Sequence, residues 1–427
     1  MGEGTRKGNI RSIGNKAFGG SKELDGSKEL DGSKELGGNK ELNENKELNG
    51  SKEFNENKEL NGSKELDGDK KPGVNKKPDG NKKLTGDRKL AAASVVMLAL
   101  SFLLQILARK VPGFGEWYAE RVYPVIVGVF GRISGIFPFA LAEIGFYFLA
   151  VLSVFYVVRH FQEKRVVFIR ILFLAAALFF LFTVNCGINY YRKPFSGYSG
   201  LEVRKSSVEE LKSLCLKLTD TLNRMREVGV TGEVNVEKSK RESVIAMEKL
   251  GETYPELSGF YPQPKPFVWS YFFSVQQLCG QYSPFTVEAT YNRSMPDYNI
   301  PHTVCHELSH LRGFMREDEA NFIGYLACIG SEDEAFQYSG YLTGWVYATN
   351  ALAKIDREAY AEIGGRLDEG AWEDLRYNNE FWGKYEGKTA EVSNRLNDTY
   401  LKMNSQTDGV NSYGRMVDLM LAYERER

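Results

Sequence analysis

The chain has 427 residues, a formal net charge of −1, 42% hydrophobic residues and five scattered cysteines. Its near-neutral balance offers no basic footprint for nucleic acid. An odd cysteine count without CxxC spacing excludes a disulfide framework and a cysteine-rich zinc knuckle. Those averages hide three regions: residues 1–89 are polar, 90–190 strongly apolar and 191–427 mixed.

From Ser21 the polar region repeats every six residues (SKELDG, SKELDG, SKELGG, NKELNE) and then drifts through DKKPGV and NKKPDG. Each unit carries a single apolar residue, so stacked units would bury almost nothing to offset the entropy of ordering. Composition therefore predicts a disordered, charge-balanced tail over 1–89.

The apolar region, 90–190, holds three predicted membrane spans. The first, 90–108, carries no charge and lies between Arg88-Lys89 and Arg109-Lys110. It matches the length needed to cross a hydrocarbon core of roughly 30 Å. It lies far from the N-terminus and has no small-residue cleavage site, which argues against a cleaved signal peptide. The second span, 136–158, is interrupted only by Glu143, near its edge, and the third covers 166–188. Between the first two, YPVIVGVF (123–130) is too short to cross and is expected at the interface or re-entrant. Arg159, Lys164, Arg165 and Arg170 cluster between spans two and three, which favours the cytoplasm for that turn. The C-terminal domain then lies outside a bacterial cell membrane that the chain crosses several times. Arg109, Lys110, Arg121 and Arg132 between the first two spans weigh against that orientation.

Residues 191–427 read as a mostly helical domain. Helical periodicity marks 208–226, with Ser206 or Ser207 as N-cap. FTVEATY (285–291) alternates and is rich in β-formers, which predicts a strand. Pro301 opens the run PHTVCHELSHLRGFMREDEANF, which gathers three of the chain's four histidines. Within it, His306-Glu307-Leu308-Ser309-His310 is HExxH. On a helix the two imidazoles share a face and can reach one Zn2+ ion, while Glu307 stands beside them as general base for a metal-activated water. A third protein ligand is required, and the HExxHxxGxxH pattern fails because residue 316 is arginine. Carboxylates in REDEANF are the candidates.

Here the sequence resembles the glutamate-ligand zinc peptidases, whose second helix carries Glu-x-x-Ala-Asp or a close variant. The resemblance implies Glu317 as third metal ligand and Asn321 in place of the aspartate that supports a ligating histidine. Glu319 is the alternative ligand. A break at Gly313-Phe314 would bring the second helix back onto the first. More narrowly, PFTVEA, the long HExxH run, FQYSGY, NDTYLK, GVNSYGRMVDLMLA and CGINYYRKP resemble the bacterial membrane family called domain of unknown function 3810, from about residue 90 to the C-terminus. That resemblance supplies membership and no substrate.

Other residues have plainer readings. His302 packs or caps more readily than it ligates, and Cys305 reads as a small buried residue. Arg312 and Arg316 read as solvated helix charges. Tyr338, in YSGY, reads as a core aromatic, with donation to a developing oxyanion as its functional alternative.

The expected fold is mainly α: about three transmembrane helices, then a mostly helical zincin-like α+β domain with a small edge strand. Residues 285–291 are the expected edge on which an extended peptide would add. The expected function is a membrane-anchored zinc metallopeptidase acting on peptides or proteins in contact with lipid. The rival is a membrane sensor or transducer that keeps the zinc for binding or signalling, and a closed four-ligand structural zinc is a third reading.

Overall fold

The first apolar run lies in a helix longer than itself. In the computed structural model, which describes residues 80–403 and 414–427, helix α1 covers Gly80–Lys110. Residues 80–89, expected in the disordered tail, are therefore helical, and the repeats before them lie outside the described residues. Among the described residues, three helical stretches are long and apolar enough to cross a membrane: Gly86–Lys110 of α1, α4 (Leu141–Arg159) and α5 (Lys164–Asn185). The second starts later than expected because 136–140, around Pro138, is not helical; the third gives way to a 3-10 turn at Gly187–Tyr191.

One end of each apolar helix is built into the helical domain. Ala108 of α1 belongs to the domain core. The Leu141 and Ala142 amides of α4 donate to the Glu288 carboxylate at 3.1 and 2.8 Å. The Asn185 side chain at the end of α5 donates to the Pro284 carbonyl at 2.6 Å. With 1.5 Å of rise per residue, the turn joining α4 to α5 stands about 27 Å away from those ends. Arg159 and Lys164 lie at that far turn.

Glu143 is buried in the first turn of α4 rather than facing lipid. Its carboxylate accepts the amides of Val268 at 2.6 Å and Trp269 at 2.9 Å, and the Tyr147 hydroxyl at 3.0 Å. A carboxylate at the edge of an apolar helix is thus satisfied by backbone donors.

Between α1 and α4 the chain is helical from α2 (Phe114–Trp117) through a π-helical turn (Tyr118–Val122) into α3 (Tyr123–Gly135). YPVIVGVF forms the start of α3. Its Tyr123 and Val127 are wholly buried in the domain core, where a membrane-interface position was expected. The periodicity of eight residues shows only apolarity; the partner that covers it comes from far along the chain.

The domain continues with α6 (Ser196–Ser199), α7 (Val208–Glu227), α8 (Val236–Thr253) and α9 (Ser270–Val275). Ser207 caps α7 in a box with Glu210, each satisfying an amide of the other. Then come α10 (Asn299–His310), α11 (Glu317–Ile329), α12 (Glu334–Ile355), α13 (Arg357–Gly364), α14 (Glu369–Gly383), α15 (Lys388–Met403) and α16 (Arg415–Arg425). α10 is central, packed against α8, α11, α12 and a small sheet. Gly324 permits its close approach to α11: a Cβ there would stand 3.1 Å from the His306 nitrogen and 3.2 Å from the His302 carbonyl.

The sheet has the order β1-β3-β2, with β1 (Lys265–Pro266) parallel and β2 (Gly280–Ser283) antiparallel to β3 (Glu288–Tyr291). The expected edge strand is corrected here. β3 is the central, fully buried strand, and residues 285–287 form a turn in which Val287 has φ 56°. The edge is β2. Period-2 alternation reports a strand but not its neighbours, and β2, with glycine, glutamine and serine among its four residues, gave little signal.

Candidate metal centre

The HExxH run is helical because apolar side chains recur on its inner face, and it stops where glycine takes over. Gly313 has φ 84°, its amide donates to the His310 carbonyl at 2.9 Å, and the Phe314 amide reaches back to Ser309 at 3.4 Å. This left-handed close turns the chain as expected, and α11 starts at Glu317 with three acidic residues in its first turn. Acidic groups suit the positive end of a helix, so the same sequence that forms a good start delivers carboxylates to the end of α10.

One imidazole and one carboxylate define the centre. Glu317 Oε2 lies 3.2 Å from His306 Nε2, and Glu317 Oε1 lies 4.0 Å from His310 Nε2. Ligand atoms of His306, Glu307 and His310 all lie within 4.8 Å of one another. Both rings are oriented from behind. His306 Nδ1 stands 2.8 Å from Asn321 Oδ1, and His310 Nδ1 stands 2.7 Å from the Phe314 carbonyl. An acceptor at Nδ1 fixes a proton there and turns Nε2 towards Glu317, so that His310 offers its Nε2 lone pair directly and His306 does so once the proton shared with Glu317 is displaced. Two imidazoles and a carboxylate match the protein donor set of a catalytic zinc site, which takes three protein ligands. The residues present fit the ion.

Electrostatics agree with that geometry. Burial alone would push the His306 imidazolium down, but the hydrogen bond and charge of Glu317, with Glu307 adding, hold it up at about 9. Burial and the neighbouring His306 push His310 down to about 4. Burial raises Glu317, yet the His306 contact outweighs it and keeps the carboxylate below its usual range. Burial pushes Glu307 up to about 8 against the pull of His306, with the Tyr282 amide also holding its charged form. A carboxylate poised near neutrality suits a general base.

The other sequence candidates fall elsewhere. Glu319, the alternative third ligand, accepts from Arg316 Nη1 at 2.9 Å and from the Phe195 amide at 3.2 Å, an ion pair turned to the segment after α5. Tyr338, the candidate oxyanion donor, gives its hydroxyl to Asp374 at 2.6 Å; the structure does not bring it to the cluster. His302 is buried with Nε2 3.0 Å from the Asn321 carbonyl, which fits a packing role. Cys305 is buried, and all five cysteines are free thiols. Arg312 is no solvated charge: it is buried and donates to the carbonyls of Ser258 and Phe260.

Three contributors escaped the sequence reading. Gly280 on β2 leaves room for Glu307, since a Cβ there would stand 2.6 Å from Glu307 Oε1 and 2.8 Å from Thr303 Cγ2. Tyr123 of α3 donates to the His310 carbonyl at 3.1 Å and meets the Tyr282 hydroxyl at 2.7 Å. Arg192, just past α5, donates to the Arg312 carbonyl at 2.5 Å and stacks 3.8 Å over the Phe314 ring. Only Arg192 left a trace in the sequence, as part of CGINYYRKP.

A family model described as a protein of unknown function, DUF3810, matches residues 118–421. No curated protein matches the chain, and no solved structure does.

Proposed function

The chain belongs to the DUF3810 family, and from the geometry of its His-Glu cluster we propose that it is a zinc-dependent peptidase held at a bacterial membrane. The carrying observation is the approach of one carboxylate, Glu317, to the Nε2 atoms of both His306 and His310, while the Nδ1 atoms are engaged behind. In this reading His306, His310 and Glu317 hold the ion. Zinc, when bound, supplies Lewis acidity towards a peptide carbonyl and a water. Glu307 takes the proton of the attacking water and returns it to the leaving amine. The Tyr282 amide fixes the Glu307 carboxylate, and Asn321 holds the His306 ring. β2, the edge strand beside Glu307, is the element on which an extended peptide would add.

Placing the domain outside the cell gains support from the helix ends. Of the four basic residues that weighed against it (Arg109, Lys110, Arg121 and Arg132), Arg109 and Arg132 lie over the rings of Tyr191 and Phe260 in the domain itself. Those on the far turn, Arg159 and Lys164, then mark the cytoplasmic side. A buried Glu307 beside the two histidines favours turnover over a sensing role, which has no use for a base.

The test compares cells carrying the wild type and Glu307→Gln. The variant is expected to retain zinc and to lose a set of peptide termini in the membrane and secreted fractions. An unchanged set of termini, with the protein present at equal amount, would sink the assignment.

A further inference from the structure

Residues 266–287 contain no Asp, Glu, Lys or Arg. The charges that bracket them, Lys265 and Glu288, pair with each other at 2.5 Å inside the protein. Within this uncharged segment the turn into α9 and its first residues expose Val268 (44%), Trp269 (65%), Tyr271 (71%) and Phe272 (47%). Scattered exposed apolar residues are ordinary, but four in five residues form a patch that implies an occupant.

The position of the patch identifies that occupant. The Val268 and Trp269 amides are bound by Glu143 in the first turn of α4, and the Trp269 ring stands 5.4 Å from Tyr147, one turn further on. Phe285, also exposed, lies beside Pro284, whose carbonyl accepts the Asn185 side chain at the end of α5. Two projections of the helical domain thus carry exposed aromatics to the level where two apolar helices meet it. Phe137 and Phe139, just before α4, are exposed as well. Trp and Tyr concentrate at this depth because their rings are amphipathic, and an uncharged stretch enters the boundary between headgroups and acyl chains at low cost.

We propose that the segment 266–287 is a membrane-interface element, with Trp269, Tyr271 and Phe272 inserted into the bilayer that α4 enters. The inference rests on α4 crossing a bilayer and not on hydrolysis. It has a consequence for the site, because β2 belongs to the same segment. The edge beside Glu307 would then open at the bilayer surface, and the chain that adds to it would be one emerging from the membrane, such as the juxtamembrane stretch of another membrane protein.

The test uses the full chain reconstituted into phosphatidylcholine vesicles, plain or brominated near the headgroup end of the acyl chains. The difference between wild type and Trp269→Phe isolates the emission of Trp269 among the five tryptophans. That component is expected to be lost in brominated lipid and shielded from aqueous iodide. Iodide quenching with no effect of bromine would overturn the proposal. A nitroxide attached at Tyr271→Cys gives an independent measurement, with oxygen expected to reach it more readily than a water-soluble nickel chelate. The reverse order overturns the proposal, as does a disulfide-linked dimer through Tyr271→Cys, which would make a second copy of the chain the occupant.

Discussion

His306 and Glu317 meet Nε2 to Oε2 at 3.2 Å across the glycine turn that joins α10 to α11. In the metal-free chain this contact holds a proton: the imidazole is kept up at about 9 while the carboxylate is kept low. A zinc ion must displace that proton, since it binds only the neutral ring. Below pH 9 the ring is charged and above it neutral, so zinc affinity is expected to fall as pH falls, by about tenfold per pH unit between pH 8 and 6. Calorimetry in buffers of differing ionisation enthalpy should count about one proton released at pH 7. Glu317→Gln removes the partner that raises the imidazole, so it should both weaken zinc and reduce that proton count.

Asn321 tests the support behind the ligand. Its Oδ1 holds His306 Nδ1, but its Nδ2 is buried without a partner. Asn321→Ala should lower zinc affinity by about 10–100-fold, the usual cost of losing such a group. Asn321→Asp keeps the acceptor, removes the orphaned donor and makes the ring more basic, so zinc should bind at least as tightly as in the wild type. Competition with a fluorescent chelator measures both, and equal affinities in all three proteins would remove Asn321 from the site.

What the sequence made legible is what short-range patterns encode. HExxH, the acidic start of α11, the Gly313 break and the Ser207 cap each depend on residues within one or two turns, and the structure shows those elements. Glu143, Tyr338, Arg312 and β2 depend on partners far along the chain. Glu143 needs amides at 268 and 269, Tyr338 is claimed by Asp374, and Arg312 by carbonyls at 258 and 260. A buried arginine and a solvated one look alike in a sequence, because only the tertiary partner decides which it is.

Gly280 separates the base from the metal. A methyl group there meets Glu307 Oε1 at 2.6 Å, and its three nearest neighbours belong to Glu307 and Thr303 rather than to His306, His310 or Glu317. Gly280→Ala should therefore keep zinc stoichiometry while displacing Glu307. If Glu307 is the base, peptide hydrolysis should fall by roughly 10²-fold or more. Zinc content by elemental analysis and turnover of the substrate identified from cellular termini are the two readings. Loss of zinc together with activity would show that the methyl group disturbs the whole site.

The Lys265–Glu288 pair joins the sheet to α3 and to the apolar helix α4. Both side chains are nearly inaccessible; Lys265 also donates to the Ser134 carbonyl at the end of α3, and Glu288 accepts the first amides of α4. Removing one partner leaves the other charge buried and alone, which costs about 3–5 kcal/mol. Lys265→Met should thus lower the unfolding midpoint of the detergent-solubilised protein far more than an exposed change such as Lys249→Met, whose ion pair with Glu332 lies at the surface. Adding Glu288→Gln to Lys265→Met removes the stranded charge while the glutamine oxygen still accepts from α4. The double variant is expected to recover much of the loss, and a double variant less stable than Lys265→Met would mean that α4 needs the full carboxylate.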